Sequence, residues 1–130
     1  MPLLGNRSDV ERLYPACDLT VLPSLFEGTP NVALESMAAG VPVIATDVAD
    51  NASIIPDGRA GYIVKLGDAA GLAQKIVDLL SDHARRTAMA AAARVWVQSE
   101  FSTTRLAQKT EAVYREALAA RRAPNRRAHL

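Results

Sequence analysis

Asp18-Leu19-Thr20-Val21-Leu22-Pro23, Ser24-Leu25-Phe26-Glu27-Gly28-Thr29, Pro30-Asn31-Val32-Ala33-Leu34-Glu35-Ser36-Met37-Ala38-Ala39-Gly40 and Val41-Pro42-Val43-Ile44-Ala45-Thr46 follow one another without a break. The first is a short apolar run closed by proline, with the length and composition of a buried strand. The second has no apolar period and reads as a loop. The third opens on Pro30, suited to a first helical turn, and closes on Gly40, suited to the residue just past a helix end. The fourth carries a second buried strand, Pro42-Val43-Ile44-Ala45, before the polar turn Thr46-Asp47. Strands that are apolar throughout and separated by a helix imply a parallel sheet covered on both faces, hence an α/β fold.

Working outward, Ser8-Asp9-Val10-Glu11 has capping-box spacing and predicts a helix from Ser8 to near Pro15. Downstream, Asn51 to Ile55 reads as one helical turn and Gly61-Tyr62-Ile63-Val64 as a third strand. Asp68 then caps a helix with Leu72, Ile76, Leu79 and Leu80 on one stripe. Asp82 caps an alanine-rich helix running to about Gln98, with Met89, Val95 and Trp96. Ser102 caps a last helix whose Leu106, Val113, Tyr114 and Leu118 recur at helical spacing. About three parallel strands joined by right-handed crossovers should form one half of a doubly wound sheet, with long C-terminal helices. From about Arg121 the chain reads as a basic disordered tail, 121–130.

Composition narrows the function. In 130 residues, 49% are hydrophobic and 22% charged, enough for one packed domain, here 1–120. Fifteen basic and 14 acidic residues leave a formal charge of +1, but Arg121, Arg122, Arg126 and Arg127 face no acid in the tail, so the body is net acidic. An acidic body with one Trp, three Tyr and two Phe is a poor nucleic-acid platform, and no nucleic-acid partner is expected. The single cysteine, Cys17, excludes an internal disulfide and a Cys-rich zinc site, and is expected half-buried at a helix end. No apolar run approaches the ~18 residues of a membrane span, and the first residues are too short for a signal peptide. A cytoplasmic chain is expected.

The chemistry gathers between the first strand and the second helix. In an open parallel sheet, ligands bind beyond the carboxyl ends of the strands. Unpaired N–H groups of the first turn, about Asn31 to Ala33, together with the helix dipole, suit phosphate oxygens, and Gly28 lets a ligand approach the backbone. Glu27 and Glu35 bracket that helix start, eight residues apart. A carboxylate beside a phosphate site is unfavourable unless it accepts hydrogen bonds from hydroxyls. A nucleoside diphosphate sugar, with hydroxyls on either side of its phosphates, has that layout. Spacing alone also allows Glu35 to be a solvent-facing helix residue and Glu27 a loop residue without a partner.

The run from Pro23 to Thr46 resembles the signature of the retaining GT-B glycosyltransferases with an E-x7-E motif, the family-four glycosyltransferase group 1 proteins. The likeness extends to Leu4-Gly5, Leu13-Tyr14 and Ala16-Cys17-Asp18 upstream, and to Asn51, Ile55, Gly58, Gly61-Tyr62, Phe101-Ser102 and Tyr114 downstream. It implies a Rossmann-like C-terminal donor-binding domain whose three strands are the last three of the order 3-2-1-4-5-6. It implies transfer of a sugar from a nucleotide donor with retention, in polysaccharide or glycoconjugate biosynthesis. Glu27 would contact the donor sugar and stabilise charge at the reacting centre, as the catalytic residue. Glu35 would accept from the ribose hydroxyls, and Gly28, Thr29, Pro30, Asn31 and Val32 would surround sugar and diphosphate. The resemblance implies no metal and no cofactor.

Such proteins have two Rossmann-like domains with the active site between them. On that comparison this sequence lacks the amino-terminal domain, which binds the sugar or lipid acceptor and carries a catalytic-side histidine. It also lacks the first strands of the donor domain, with their arginine and lysine on the diphosphate. His83 and His129 read as surface residues, and neither Lys65 nor Arg59 has a context that assigns it the missing role. The chain is therefore expected to supply one wall of the crevice, to show a free sheet edge, and to be incomplete alone. Any peripheral membrane association belongs to the full protein. The alternatives are a non-catalytic truncated module that docks on a partner subunit, and half of a related epimerase or phosphorylase.

Overall fold

The computed structural model describes residues 3–122, the side chain of Arg122 excepted. Strands β1 (Thr20–Leu22), β2 (Val43–Thr46) and β3 (Gly61–Val64) form a parallel sheet in the order β1-β2-β3. Thr20 pairs with Val43 and Val43 with Gly61, so all three strands end on the same side. Helices α1 (Asn31–Ala38) and α2 (Asn51–Ile54) lie between strands, and α3 (Ala69–Ser81), α4 (His83–Glu100) and α5 (Thr103–Arg122) follow. The α/β architecture is as the periodicity predicts.

Alternation along β2 explains its wholly apolar sequence. Val43 and Ala45 join Ala33 and Met37 of α1 with Ile54 and Ile55 in one cluster. Ile44 turns the other way, to Tyr62, Val64 and Leu79 of α3. Helix α4 adds Met89 to the second cluster and Ala93 to the first. Every β2 residue is buried whereas β1 stays half-buried, and β1 pairs only with β2 among the described residues, leaving an open edge.

Local chemistry fixes the helix ends. Past α1, the amide of Gly40 donates to Met37 O and that of Val41 to Ser36 O, each at 3.0 Å, with Gly40 at φ +78°; this is the Schellman motif that favours glycine. Arg94 of α4 adds its guanidinium to the carbonyls of Ala38 and Ala39, at 3.3 and 3.0 Å. Asp68 accepts from Gly71 N at 2.8 Å and Asp82 from Arg85 N at 2.9 Å, as their positions predict. Ser102 accepts from Arg105 N at 3.3 Å.

Three expectations are corrected. Residues 8–15 form no α-helix but two 3₁₀ turns, Val10–Arg12 and Tyr14–Ala16, without a side-chain cap. Arg7 takes the Asp9 carboxylate through two hydrogen bonds, and Pro15 has no N–H to continue a helical ladder. Cys17 is exposed, its thiol 3.4 Å from Leu13 O, because it ends a short turn outside the core. Helix α5 runs through Arg122, one residue past the expected start of the tail at Arg121; 123–130 lie outside the described residues. The described chain up to Gln98 forms one compact unit and the chain from Ser99 a second.

Candidate functional site

The loop 23–30 leaves the carboxyl end of β1 and returns at α1. Thr46, at the carboxyl end of β2, donates its hydroxyl to Ser24 O at 2.6 Å, tying the loop to the sheet. Asn51 donates its amide to Thr46 O at 2.9 Å from the start of α2. Ser24 in turn donates its hydroxyl to Glu27 Oε1 at 2.5 Å. The half-buried Glu27 carboxylate is thereby held by a chain of contacts reaching into the buried middle strand.

Glu35 is fixed from the other side. On α1, Ala33, Ser36 and Met37 face the core, while Asn31, Val32 and Glu35 lie on the exposed face, where i and i+3 or i+4 residues are neighbours. The Tyr14 hydroxyl donates to Glu35 Oε2 at 3.1 Å across 21 residues of sequence. Burial and the adjacent Glu35 carboxylate push the Tyr14 phenol up to about 12. The phenol therefore stays a neutral donor.

The helix start differs in detail from expectation. The amide of Asn31 donates to Thr29 O at 2.9 Å and that of Ala33 to Pro30 O at 3.0 Å, because a tightened first turn satisfies its own donors. The amides of Gly28, Thr29 and Val32 donate to nothing among the described residues. Gly28 has no positive φ, and a Cβ added there would meet nothing within 4 Å, so no neighbour in this chain demands a glycine. Pro30 is buried as the N-cap, and Thr29 is exposed beside it. Leu25 and Phe26, at the tip, are 83% and 86% exposed, an apolar pair next to Glu27.

A cavity of about 200 Å³ adjoins the loop, lined by Pro23, Leu25, Thr46, Lys65 and the turn Leu66–Ala69. It brings Lys65 to the same end of the sheet, but takes in neither Glu27 nor Glu35. Arg59 lies instead over the Trp96 ring, 5.8 Å from its centre. His83 is exposed at the start of α4, and His129 lies outside the described residues. Among the described residues no three His, Cys, Asp or Glu side chains are grouped to hold a metal ion, and no helix is long and apolar enough to cross a membrane. Ser24, Thr46 and Tyr14 were not assigned roles from sequence. Ser24 carried a readable signal, the Ser-x-x-Glu spacing to Glu27.

The family description "Glycosyl transferases group 1" matches residues 1–82. The chain belongs to the glycosyl transferases group 1 family. Within that family it is 34% identical over 115 residues to N-acetyl-alpha-D-glucosaminyl L-malate synthase of Bacillus anthracis, covering 88% of this chain and 30% of that protein. Among solved structures, the C-terminal domain of the glycosyl transferase group 1 family protein LpcC of Francisella tularensis is 29% identical over 79% of this chain and 53% of its own, with a TM-score of 0.70. Anabaena Alr3699/HepE in complex with UDP and glucose is 25% identical over 88% of this chain and 32% of its own, with a TM-score of 0.81. This group 1 chain thus has the fold of a GT-B C-terminal portion, three parallel strands flanked by helices. It spans about 30% of the length of the curated relatives it matches.

Proposed function

We propose that this chain is the donor-binding part of a retaining glycosyltransferase, taking a nucleoside diphosphate sugar. The observation that carries this reading is the pair of immobilised carboxylates on either side of a helix start. Glu27 is held by Ser24, Glu35 by Tyr14, and between them the Gly28, Thr29 and Val32 amides are free among the described residues. Amides with a helix dipole suit a diphosphate, and the flanking acids suit hydroxyls. The space beside Gly28 is open, which leaves its backbone accessible to a ligand. The UDP and glucose held by Anabaena Alr3699/HepE support a ligand of this class.

In this reading the diphosphate lies over Gly28, Thr29 and the start of α1, with Pro30, Asn31 and Val32 forming the wall beneath it. Glu35 accepts from the ribose hydroxyls. Glu27 accepts from the sugar hydroxyls and places negative charge near the anomeric carbon, where positive charge develops as the bond to phosphate breaks. The electron pair of that bond leaves with the diphosphate, whose growing charge meets the backbone donors. The acceptor oxygen bonds to the carbon on the face the diphosphate leaves, giving retention, and its proton passes to the leaving phosphate. The acceptor, a sugar or a lipid, is bound by the rest of the protein. No residue of this chain is assigned to a metal or cofactor.

Calorimetric and NMR titration with UDP-, GDP- and ADP-sugars tests the reading. Binding is expected with one of the three, weakened about tenfold or more by Glu35→Ala. No nucleotide-dependent shift at millimolar ligand would overturn it.

A further inference from the structure

We propose that Tyr14 is a positioning residue for nucleotide recognition, holding Glu35 in the orientation that selects a ribose diol over a deoxyribose. The inference rests on the donor-binding reading above and adds a residue to it. Glu35 sits on an exposed helix face, where a glutamate has much rotamer freedom to lose on binding. Tyr14 removes that freedom in advance: its side chain is 7% exposed and its hydroxyl lies 3.1 Å from Oε2. A carboxylate has about four acceptor sites, so one phenol leaves Oε1 and part of Oε2 for two vicinal hydroxyls.

The donor's chemistry matters as much as its position. No lysine or arginine forms an ion pair with Glu35 among the described residues. A neutral phenol orients the carboxylate while leaving its full negative charge to accept from the ligand, which a guanidinium would partly neutralise. Neither role is needed to fill space, since phenylalanine would fill the same volume.

The test measures binding of UDP, GDP and ADP and of their 2′-deoxy counterparts to the wild type, Tyr14→Phe, Glu35→Gln and the double variant. The wild type is expected to prefer the ribonucleotide. Tyr14→Phe should reduce that preference about fivefold to tenfold, weakening ribonucleotide binding more than 2′-deoxy binding, and should add nothing in the Glu35→Gln background. A preference unaltered in Tyr14→Phe overturns the inference and leaves the donor-binding reading standing. If the wild type binds none of the nucleotides, both fall. Should Tyr14→Phe not fold, ultraviolet titration of the wild type with saturating ribonucleotide decides. A Tyr14 still bonded to Glu35 keeps its raised phenol when the ligand is bound, and a Tyr14 phenol that falls on ligand binding overturns the inference.

Discussion

At the scale of single residues, Gly28 and Tyr14 give the sharpest expectations. A methyl group at Gly28 meets no atom of the chain, so Gly28→Ala should leave the melting temperature within about 0.5 kcal/mol of equivalent stability and weaken nucleotide binding at least tenfold. Thermal melting and calorimetry on the same sample separate the two effects. Equal binding would show that the open space serves no ligand. The raised Tyr14 phenol sets a pH dependence. Its proton is held more tightly in the folded chain than in the unfolded one, so its contribution is whole below pH about 10 and is lost as pH rises toward 12. Denaturant unfolding across that window should show stability falling more steeply in the wild type than in Tyr14→Phe. The two glutamates were singled out by the family resemblance of the whole segment from Pro23 to Thr46, since their spacing alone allows each to be a surface residue without a partner. Tyr14 and Thr46 were not, because their contacts to Glu35 and Ser24 span 21 and 22 residues and leave no local pattern.

At the scale of elements, close approach decides more than propensity. A Cβ at Gly61 would collide with Val43 O and crowd the Ile55 side chain, so Gly61→Ala should cost about 3 kcal/mol by separating β3 from β2. Urea unfolding measures this, and a cost below about 1 kcal/mol would contradict the pairing register. The three strands were readable because β2 is covered on both faces and therefore apolar at every position. The first helix was misread for a physical reason. Serine and glutamate at capping-box spacing predict a helix only where residues beyond them can sustain one, and Pro15 ends the ladder too soon. The same spacing at Ser24 and Glu27 does form a side-chain hydrogen bond, in a loop.

For the whole molecule, the chain divides after Gln98 into two compact units. None of the described side chains of α5 is buried, so a chain ending at Glu100 should melt within about 1 kcal/mol of the full one and keep its sheet by circular dichroism. Loss of cooperative unfolding on that truncation would show that the second unit supports the first. Periodicity revealed that α5 is a helix with an apolar stripe, Leu106, Val113, Tyr114 and Leu118, but it says nothing of what buries the stripe; all four are exposed. Sequence patterns report which face is apolar. They do not report whether the chain holds the surface that would cover it.

The guanidinium of Arg94 at the rear of α1 has one more consequence. By neutralising the helix's negative terminus and anchoring it to α4, it makes α1 an electrically lopsided rod whose positive forward pole faces the loop that carries Glu27. Arginine at position 94 therefore tunes, from the far end of the helix, how strongly the loop at its front attracts an anion.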